Sequence, residues 1–215
     1  MKLPTALLVI AKAPVAGRSK TRLCPPCGPA EAAALAEAAL ADTLAAVVAT
    51  PVDRRVLVLE GAPGPWLPEG LEVIPQRGDG LDERLAAAFD DVGQQAFLIG
   101  MDTPQVTPPL LRECIDALED DHVDAVLGPA ADGGFWAVGL SGPCPEAFLG
   151  VPMSTGQTGA VQRARLVALQ FRVGVLPMLR DIDVIDDAVA VAEGSPDTRF
   201  ARELLSMRAD FEATG

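Results

Sequence analysis

A chain of 215 residues, 49% hydrophobic and 22% charged, has the length and apolar content of a single α/β domain spanning residues 1–215, and this composition excludes an intrinsically disordered chain. A formal net charge of -13 makes the surface repel polyanions, which argues against nucleic acid or an anionic membrane as a partner. The charge is uneven, however. Lys2, Lys12, Arg18, Lys20 and Arg22 all precede the first acidic residue, Glu31, so the N-terminal stretch is either a solvated basic face or a seat for a small anion.

The first apolar run, Ala6 to Ala11, is shorter than the roughly 7–15 residues of a signal-peptide core and reads as a buried strand. No stretch reads as a membrane span of about 20 apolar residues, so the expected compartment is the cytoplasm. Further strands are predicted at Arg55 to Leu59, Glu72 to Pro75, Ala96 to Gly100, Ala125 to Leu127, Trp136 to Gly139 and Phe171 to Leu176. Helical spacing falls between them. An alanine-rich helix follows Gly28-Pro29 and runs from Ala30 to about Val48, and a second carries Leu81, Leu85 and Phe89. A third opens at Thr107 with Pro108 in its first turn, and a last one starts near Thr198 with Phe200, Leu204, Met207 and Phe211 on one side. Alternating strands and helices predict a mostly parallel, about seven-stranded sheet covered on both faces.

Ligands of such sheets bind beyond the carboxyl ends of the strands, and the first strand runs into Lys12-Ala13-Pro14-Val15-Ala16-Gly17-Arg18-Ser19-Lys20-Thr21-Arg22. Gly17 permits a close backbone approach, and Arg18, Lys20 and Arg22 supply clustered charge for phosphate oxygens. The spacing fits neither the dinucleotide fingerprint nor the Walker loop. The strand ending at Gly100 leads into Met101-Asp102-Thr103-Pro104, where Asp102 either holds magnesium or caps a turn. In Leu179-Arg180-Asp181-Ile182-Asp183 the alternation aims Asp181 and Asp183 to one side, from which either completes a metal site. Asp186 and Asp187 suit the first turn of the next helix. Asp132-Gly133-Gly134-Phe135-Trp136 joins two strands either as a hairpin-like turn or as an acceptor pocket with flexible glycines and an aromatic wall.

Cys24-Pro25-Pro26-Cys27 has the spacing of a redox motif, but the only histidine, His122, is distant and no second cysteine pair completes a zinc site. Cys114 reads as an apolar helix position and Cys144 as a loop residue.

Taken in order, Lys12 to Leu23, Gly100 to Pro104, Gly128-Pro129 with Asp132 to Trp136, and Asp181-Ile182-Asp183 resemble a bacterial family formerly named as a domain of unknown function. That family is now often described as glycosyltransferases of arsenosugar, radical-SAM and selenium-related gene neighbourhoods. The Gly-x-x-Lys-Thr-Arg-Leu run is also similar to that of phospholactate guanylyltransferases and, more distantly, molybdenum-cofactor guanylyltransferases. The resemblance implies the GT-A fold of nucleotide-diphospho-sugar transferases, a three-layer sandwich, and a Mg2+ or Mn2+ cofactor. It implies nucleotide binding by Ala11, Lys12, Pro14, Gly17, Arg18, Lys20 and Arg22, with Lys20 and Asp102 catalytic. Asp102 is the implied metal ligand, with Asp181 and Asp183 in a second metal role. Two departures stand out: Asp183-Val184-Ile185-Asp186-Asp187 replaces the Asp-Thr-Pro-Glu-Asp common after the last strand, and the resemblance does not require the Cys24 and Cys27 pair. The expected partners are a nucleotide or nucleotide-sugar donor and a small-molecule acceptor, and a homodimer is left open. Glycosyl transfer is favoured over nucleotidyl transfer to a phosphorylated small molecule, with a non-catalytic nucleotide-binding domain as a third reading.

Overall fold

A computed structural model describes residues 4–214, with side chains described as far as Met207. The expectations at Lys2 and Phe211 lie outside the described side chains. Seven strands form one sheet: β1 (Ala6–Lys12), β2 (Arg54–Glu60), β3 (Glu72–Pro75), β4 (Ala96–Ile99), β5 (Ala125–Pro129), β6 (Phe135–Leu140) and β7 (Val173–Val175). Their order is β3-β2-β1-β4-β6-β5-β7. All pair in parallel except β6, which runs antiparallel to both β4 and β5. Around the sheet lie α1 (Pro29–Ala49), α2 (Leu81–Val92), α3 (Pro108–Glu119), α4 (Thr158–Ala168), α5 (Ile185–Gly194) and α6 (Arg199–Thr214).

Alternation along the strands builds two cores. Leu7, Val9, Leu57, Phe97 and Ile99 face one side and pack with Leu40 and Leu44 of α1 and Leu111, Ile115 and Leu118 of α3. Leu8, Val56, Val58, Leu98 and Val138 face the other side and pack with Leu85 and Phe89 of α2 and Leu166 of α4. Because successive side chains of a strand point to opposite faces, a central strand apolar at every position needs a helical layer on each side. The result is the expected three-layer sandwich. Phe89 stacks on Phe148 with ring centroids 5.1 Å apart. A third core joins α1, α5 and α6 through Leu35, Val191, Phe200 and Leu204, and takes in Leu23 and Ile182.

Local signals set the helix ends. Thr107 accepts a hydrogen bond from the N–H of Leu110 and Pro108 opens α3. Glu31 accepts from the N–H of Gly28 at the start of α1, and Gly93 ends α2 with φ 68°. One expectation needs correction: α1, at 21 residues, is long and apolar enough by length and composition to cross a membrane. Half of its most apolar window is buried in this fold, because its alanine and leucine faces meet the sheet, α3 and α6. Its hydropathy therefore has a packing explanation.

Helix α4 is the element that sequence periodicity does not announce. Its buried positions are Thr158, Gly159, Gln162 and Leu166, a small and polar face with a single large apolar residue. It begins where Gly159 donates its N–H to the carbonyl of Gly133.

Candidate functional site

The chain moves away from β1 in opposite directions: β2 and β3 lie on one side, β4 and the rest on the other. Between β1 and β4 the loops that leave the two carboxyl ends diverge, and a crevice opens at such a switch point. It is a cleft of about 770 Å³, bordered by Lys12, Asp102, Asp132, Phe135, Asp181 and Asp183 among others. A recess of about 250 Å³ under the loop that follows β1 shares Lys12, Arg22, Met101, Asp102 and Asp183 with it and adds Arg18 and Lys20.

The loop is shaped by its own backbone. The N–H groups of Arg18 and Ser19 both donate to the carbonyl of Val15, and Ser19 Oγ accepts from the N–H of Val15 at 2.9 Å. Gly17 turns the chain at φ 76° with open space where a Cβ would stand, so its conformation is what demands glycine. Lys20 is left-handed, with φ 49° and ψ 38°, a conformation that a residue bearing a Cβ adopts infrequently. A short 3-10 turn over Thr21–Leu23 then buries Leu23 in the third core.

This geometry gathers the charged side chains. Lys20 Nζ lies 2.7 Å from Asp102 Oδ1 and also donates to the carbonyl of Ile182. Arg22 pairs with Asp183. Lys12 pairs with Glu60 at 3.3 Å. The N–H of Ile182 donates to the carbonyl of Asp102 at 3.0 Å, which ties the Asp181–Asp183 segment to the end of β4. Asp181 and Asp183, expected to share a side, both border the cleft. Asp102 does not act as a turn cap; its carboxylate goes to Lys20. Asp187, at the start of α5, accepts from the N–H of Val184 and is structural, as expected.

Burial pushes the Asp181 carboxyl up to about 6, with the negative charges of Asp132 and then Asp102 adding to the rise, while its own backbone N–H and Lys20 oppose it. For Glu60 burial also pushes upward, but hydrogen bonds from Arg84 and Lys12 outweigh it and hold the carboxyl below its ordinary value. Among the described residues no three His, Cys, Asp or Glu side chains converge closely enough to hold a metal by themselves. Asp102, Asp181 and Asp183 nonetheless offer only carboxylate oxygens, and no histidine or cysteine borders the cleft. That donor set fits a hard dication that keeps several waters and shares the oxygens of a substrate.

The expected acceptor segment is corrected in part. Residues 130–134 are the tip of the β5–β6 hairpin. A Cβ on Gly133 would stand 2.1 Å from the carbonyl oxygen of Gly156, and one on Gly159 would stand 2.4 Å from that of Gly134. Gly133 and Gly159 thus let the hairpin tip and the start of α4 approach backbone to backbone, and Gly133 does not border the cleft. Asp132, Gly134 and Phe135 do. Trp136 reaches the cleft's edge, but it is buried, its indole N–H donates to the carbonyl of Pro177, and its ring meets Phe97 edge-on. Its ring belongs to the core, not to an open wall.

Pro14 and Gly17 stay outside the walls of both recesses, whereas Ala11 borders the larger one. Sequence reasoning missed Glu60, Gln76 and Arg84. Gln76 Nε2 donates to the carbonyls of Ala11 and Val58, and Arg84 donates to Gln76 Oε1 and to Glu60. This network staples the ends of β1, β2 and β3. The available signal was a charged or amide residue at a strand's carboxyl end. Met153 to Thr158, on the cleft's far rim, was missed together with α4.

The Cys24 and Cys27 thiols are free, and Cys27 is buried in the third core. Burial pushes the Cys27 thiol up, with Glu31 and Cys24 adding to the rise, the opposite of what an attacking thiolate needs.

Residues 34–155 match the bacterial family described as "Uncharacterized protein conserved in bacteria (DUF2064)". The chain belongs to this family. The matched span takes in Asp102 and the hairpin tip, while the loop after β1 and the Asp181–Asp183 segment lie outside it. No curated protein matches the chain. Among solved structures, a candidate nucleotide-diphospho-sugar transferase from Desulfovibrio desulfuricans G20 is 25% identical over 95% of each chain, with a TM-score of 0.83. A CMP:2-keto-3-deoxy-manno-octonic acid synthetase complexed with CTP is 12% identical over 88% of this chain and 99% of that one, at a TM-score of 0.55. Rv0371c of Mycobacterium tuberculosis H37Rv in complex with manganese is 21% identical over 90% and 100%, at 0.52. This DUF2064 member therefore has the fold of nucleotide-diphospho-sugar transferases, the GT-A type.

Proposed function

We propose that the protein is a metal-dependent transferase using a nucleotide-activated donor, and that it moves a glycosyl group from a nucleotide sugar to a small acceptor. The observation that carries this reading is the 2.7 Å contact between Lys20 and Asp102, which sets a cation and a carboxylate together at the ends of β1 and β4. In this reading Lys12, Arg18, Lys20 and Arg22 take the donor's phosphates, on a loop shaped by Ala11, Pro14 and Gly17. Asp102, with Asp183 or Asp181, holds Mg2+ or Mn2+. A dication there supplies charge neutralisation for the departing diphosphate. Lys20 and Arg22 stabilise the same charge as it grows. Asp132 accepts a hydrogen bond from the acceptor's hydroxyl, and Gly134 and Phe135 form the acceptor's side of the cleft.

The likeness over 95% of both chains to the candidate nucleotide-diphospho-sugar transferase supports this choice. So does the cleft's charge. Asp79, Asp132 and Asp181 border it, and the guanidinium of Arg84 is tied to Glu60, a poor seat for a phosphorylated acceptor. The manganese complex of Rv0371c supports a dication.

Nucleotidyl transfer is the second reading. It is favoured by the single Asp102 in place of an Asp-x-Asp pair and by the fold shared with a synthetase that binds CTP. Panels of nucleotide sugars and of nucleoside triphosphates, each with Mg2+ or Mn2+ and mixed acceptors, separate the two. Release of nucleoside diphosphate from a nucleotide sugar is expected. Pyrophosphate release from a triphosphate would establish the second reading, and neither product would leave a binding domain without turnover. Asp102→Ala is expected to abolish metal-dependent nucleotide binding while the protein stays folded; unchanged affinity by calorimetry removes the metal assignment.

A further inference from the structure

Three of the four cations at the end of β1 and in the loop after it are already paired. Lys12 is paired with Glu60 on β2, Lys20 with Asp102 after β4, and Arg22 with Asp183 before α5. Arg18 makes no ion pair among the described residues. Two of these pairs join a cation assigned to phosphate with a carboxylate assigned to metal.

We infer that the Lys20–Asp102 and Arg22–Asp183 pairs form an exchange latch: they close the loop onto the carboxylates in the ligand-free protein, and phosphate and dication open them together. The inference rests on the nucleotide reading above and adds the way in which the two ligands depend on each other.

The argument is electrostatic. An exposed ion pair in water contributes little, but the Lys20 side chain is only 12% exposed and sits against Ile182, which is itself buried. An ammonium stripped of its partner there is costly. A dication that takes Asp102 alone leaves Lys20 facing it as an uncompensated like charge. A phosphate that takes Lys20 alone leaves Asp102 as an uncompensated neighbour of its own sign. When both arrive, Lys20 turns to the phosphate, Asp102 to the dication, and no charge is left unpaired. Arg22 and Asp183 form the same kind of pair at the mouth of the same recess, but at 66% and 39% side-chain exposure their exchange adds little beside that of Lys20 and Asp102. The two affinities are then positively coupled, and by linkage the coupling is the same in both directions. The backbone supports a closed state as well, because the N–H of Ile182 holds the carbonyl of Asp102 while Lys20 Nζ holds the carbonyl of Ile182.

The test reads Mn2+ binding without turnover, by electron paramagnetic resonance of the free ion and by calorimetry. It compares wild type, Lys20→Gln and Arg18→Gln, each alone and with ADP, GDP, CDP and UDP in turn. Saturating nucleoside diphosphate is expected to tighten Mn2+ binding to wild type by about tenfold or more, within the usual range of coupled sites. Without nucleotide, Lys20→Gln is expected to bind Mn2+ about fivefold tighter than wild type, while Arg18→Gln, which removes a charge from the same loop but breaks no pair, stays within about twofold. Equal tightening in both variants assigns the effect to the loop's general field and overturns the latch. No tightening in Lys20→Gln also overturns it, and absence of Mn2+ binding in every protein overturns it along with the metal assignment.

Two further arms guard the result. Lys20→Asn keeps a residue that tolerates the left-handed backbone and replaces the Gln variant should circular dichroism show that one unfolded. Asp102→Asn, in EDTA, is expected to bind the nucleoside diphosphate tighter than wild type does, and weaker binding counts against the latch. Failure of every nucleoside diphosphate to bind wild type, with or without Mn2+, brings down the nucleotide reading, while the metal-only comparison still judges the pairs.

Discussion

Lys20 combines an infrequent backbone conformation, low exposure and two polar contacts, and residues held this way cluster at sites where the surroundings over-determine them. Lys20→Ala is expected to weaken nucleoside diphosphate binding in the presence of Mn2+ by roughly tenfold or more, as loss of a charge-assisted hydrogen bond of about 1.5–3 kcal/mol implies. Isothermal titration checks it, and unchanged affinity returns the loop to a surface role. A second residue-scale expectation concerns Cys114, whose thiol is pushed up to about 12 by burial, with the charge of Glu113 adding to the rise. It stays protonated and buried through the physiological range, so a thiol reagent should label it only after urea unfolds the chain; labelling in the native state contradicts the core described for α3. At this scale the sequence marked the cations and Asp102 by their clustered charge and their place beside strand ends, and the fold brings them together around one recess. It was silent about Glu60, Gln76 and Arg84, whose importance comes from neighbours on other strands.

Secondary structure was most legible where one strong signal dominated. Thr107-Pro108 opens α3 as read, and Thr107→Ala is expected to lower stability by about 1 kcal/mol, measured by urea denaturation. The β5–β6 hairpin and α4 show the opposite case. Helix α4 turns Gly159 and Gln162 inward in place of an apolar stripe, because Gly159 lies against the hairpin's backbone and Gln162 donates to the buried carbonyl of Ala147. No hydrophobic period can report a contact made by glycines. Gly133→Ala is expected to destabilise the protein by more than the roughly 1 kcal/mol of an ordinary glycine-to-alanine mismatch, since its φ is 89° and the Cβ would meet Gly156. An unchanged urea midpoint would show that the hairpin tip moves freely. The reversal of β6 was marked only by the hairpin reading of Asp132 to Trp136, because a strand buried on both faces carries no mark of its direction.

On the scale of the molecule, the feature that most shapes the candidate site is the third core. Leu23 follows the cation-bearing turn and Ile182 lies between Asp181 and Asp183, and both are buried with Phe200 and Leu204 of α6. Phe200→Ala is expected to cost about 3–5 kcal/mol and to weaken Mn2+ and nucleotide binding although Phe200 touches neither, as denaturation and calorimetry on the same sample would show. Retained binding in a destabilised but folded variant would mean that the charged segments stand without this support. The sheet and its two faces could be read from the alternation of strands and helices, whereas this core joins segments more than 150 residues apart through a few leucines and alanines. The same feature bears on biosynthesis. Every strand of the sheet is complete once Val175 has been made, but Ile182 and Phe200, which pack with Leu23 behind the cation-bearing turn, come later in the chain. In the reading proposed above, binding competence is thus acquired only with the last helix, and a chain interrupted before α6 would lack the packing that seats the loop.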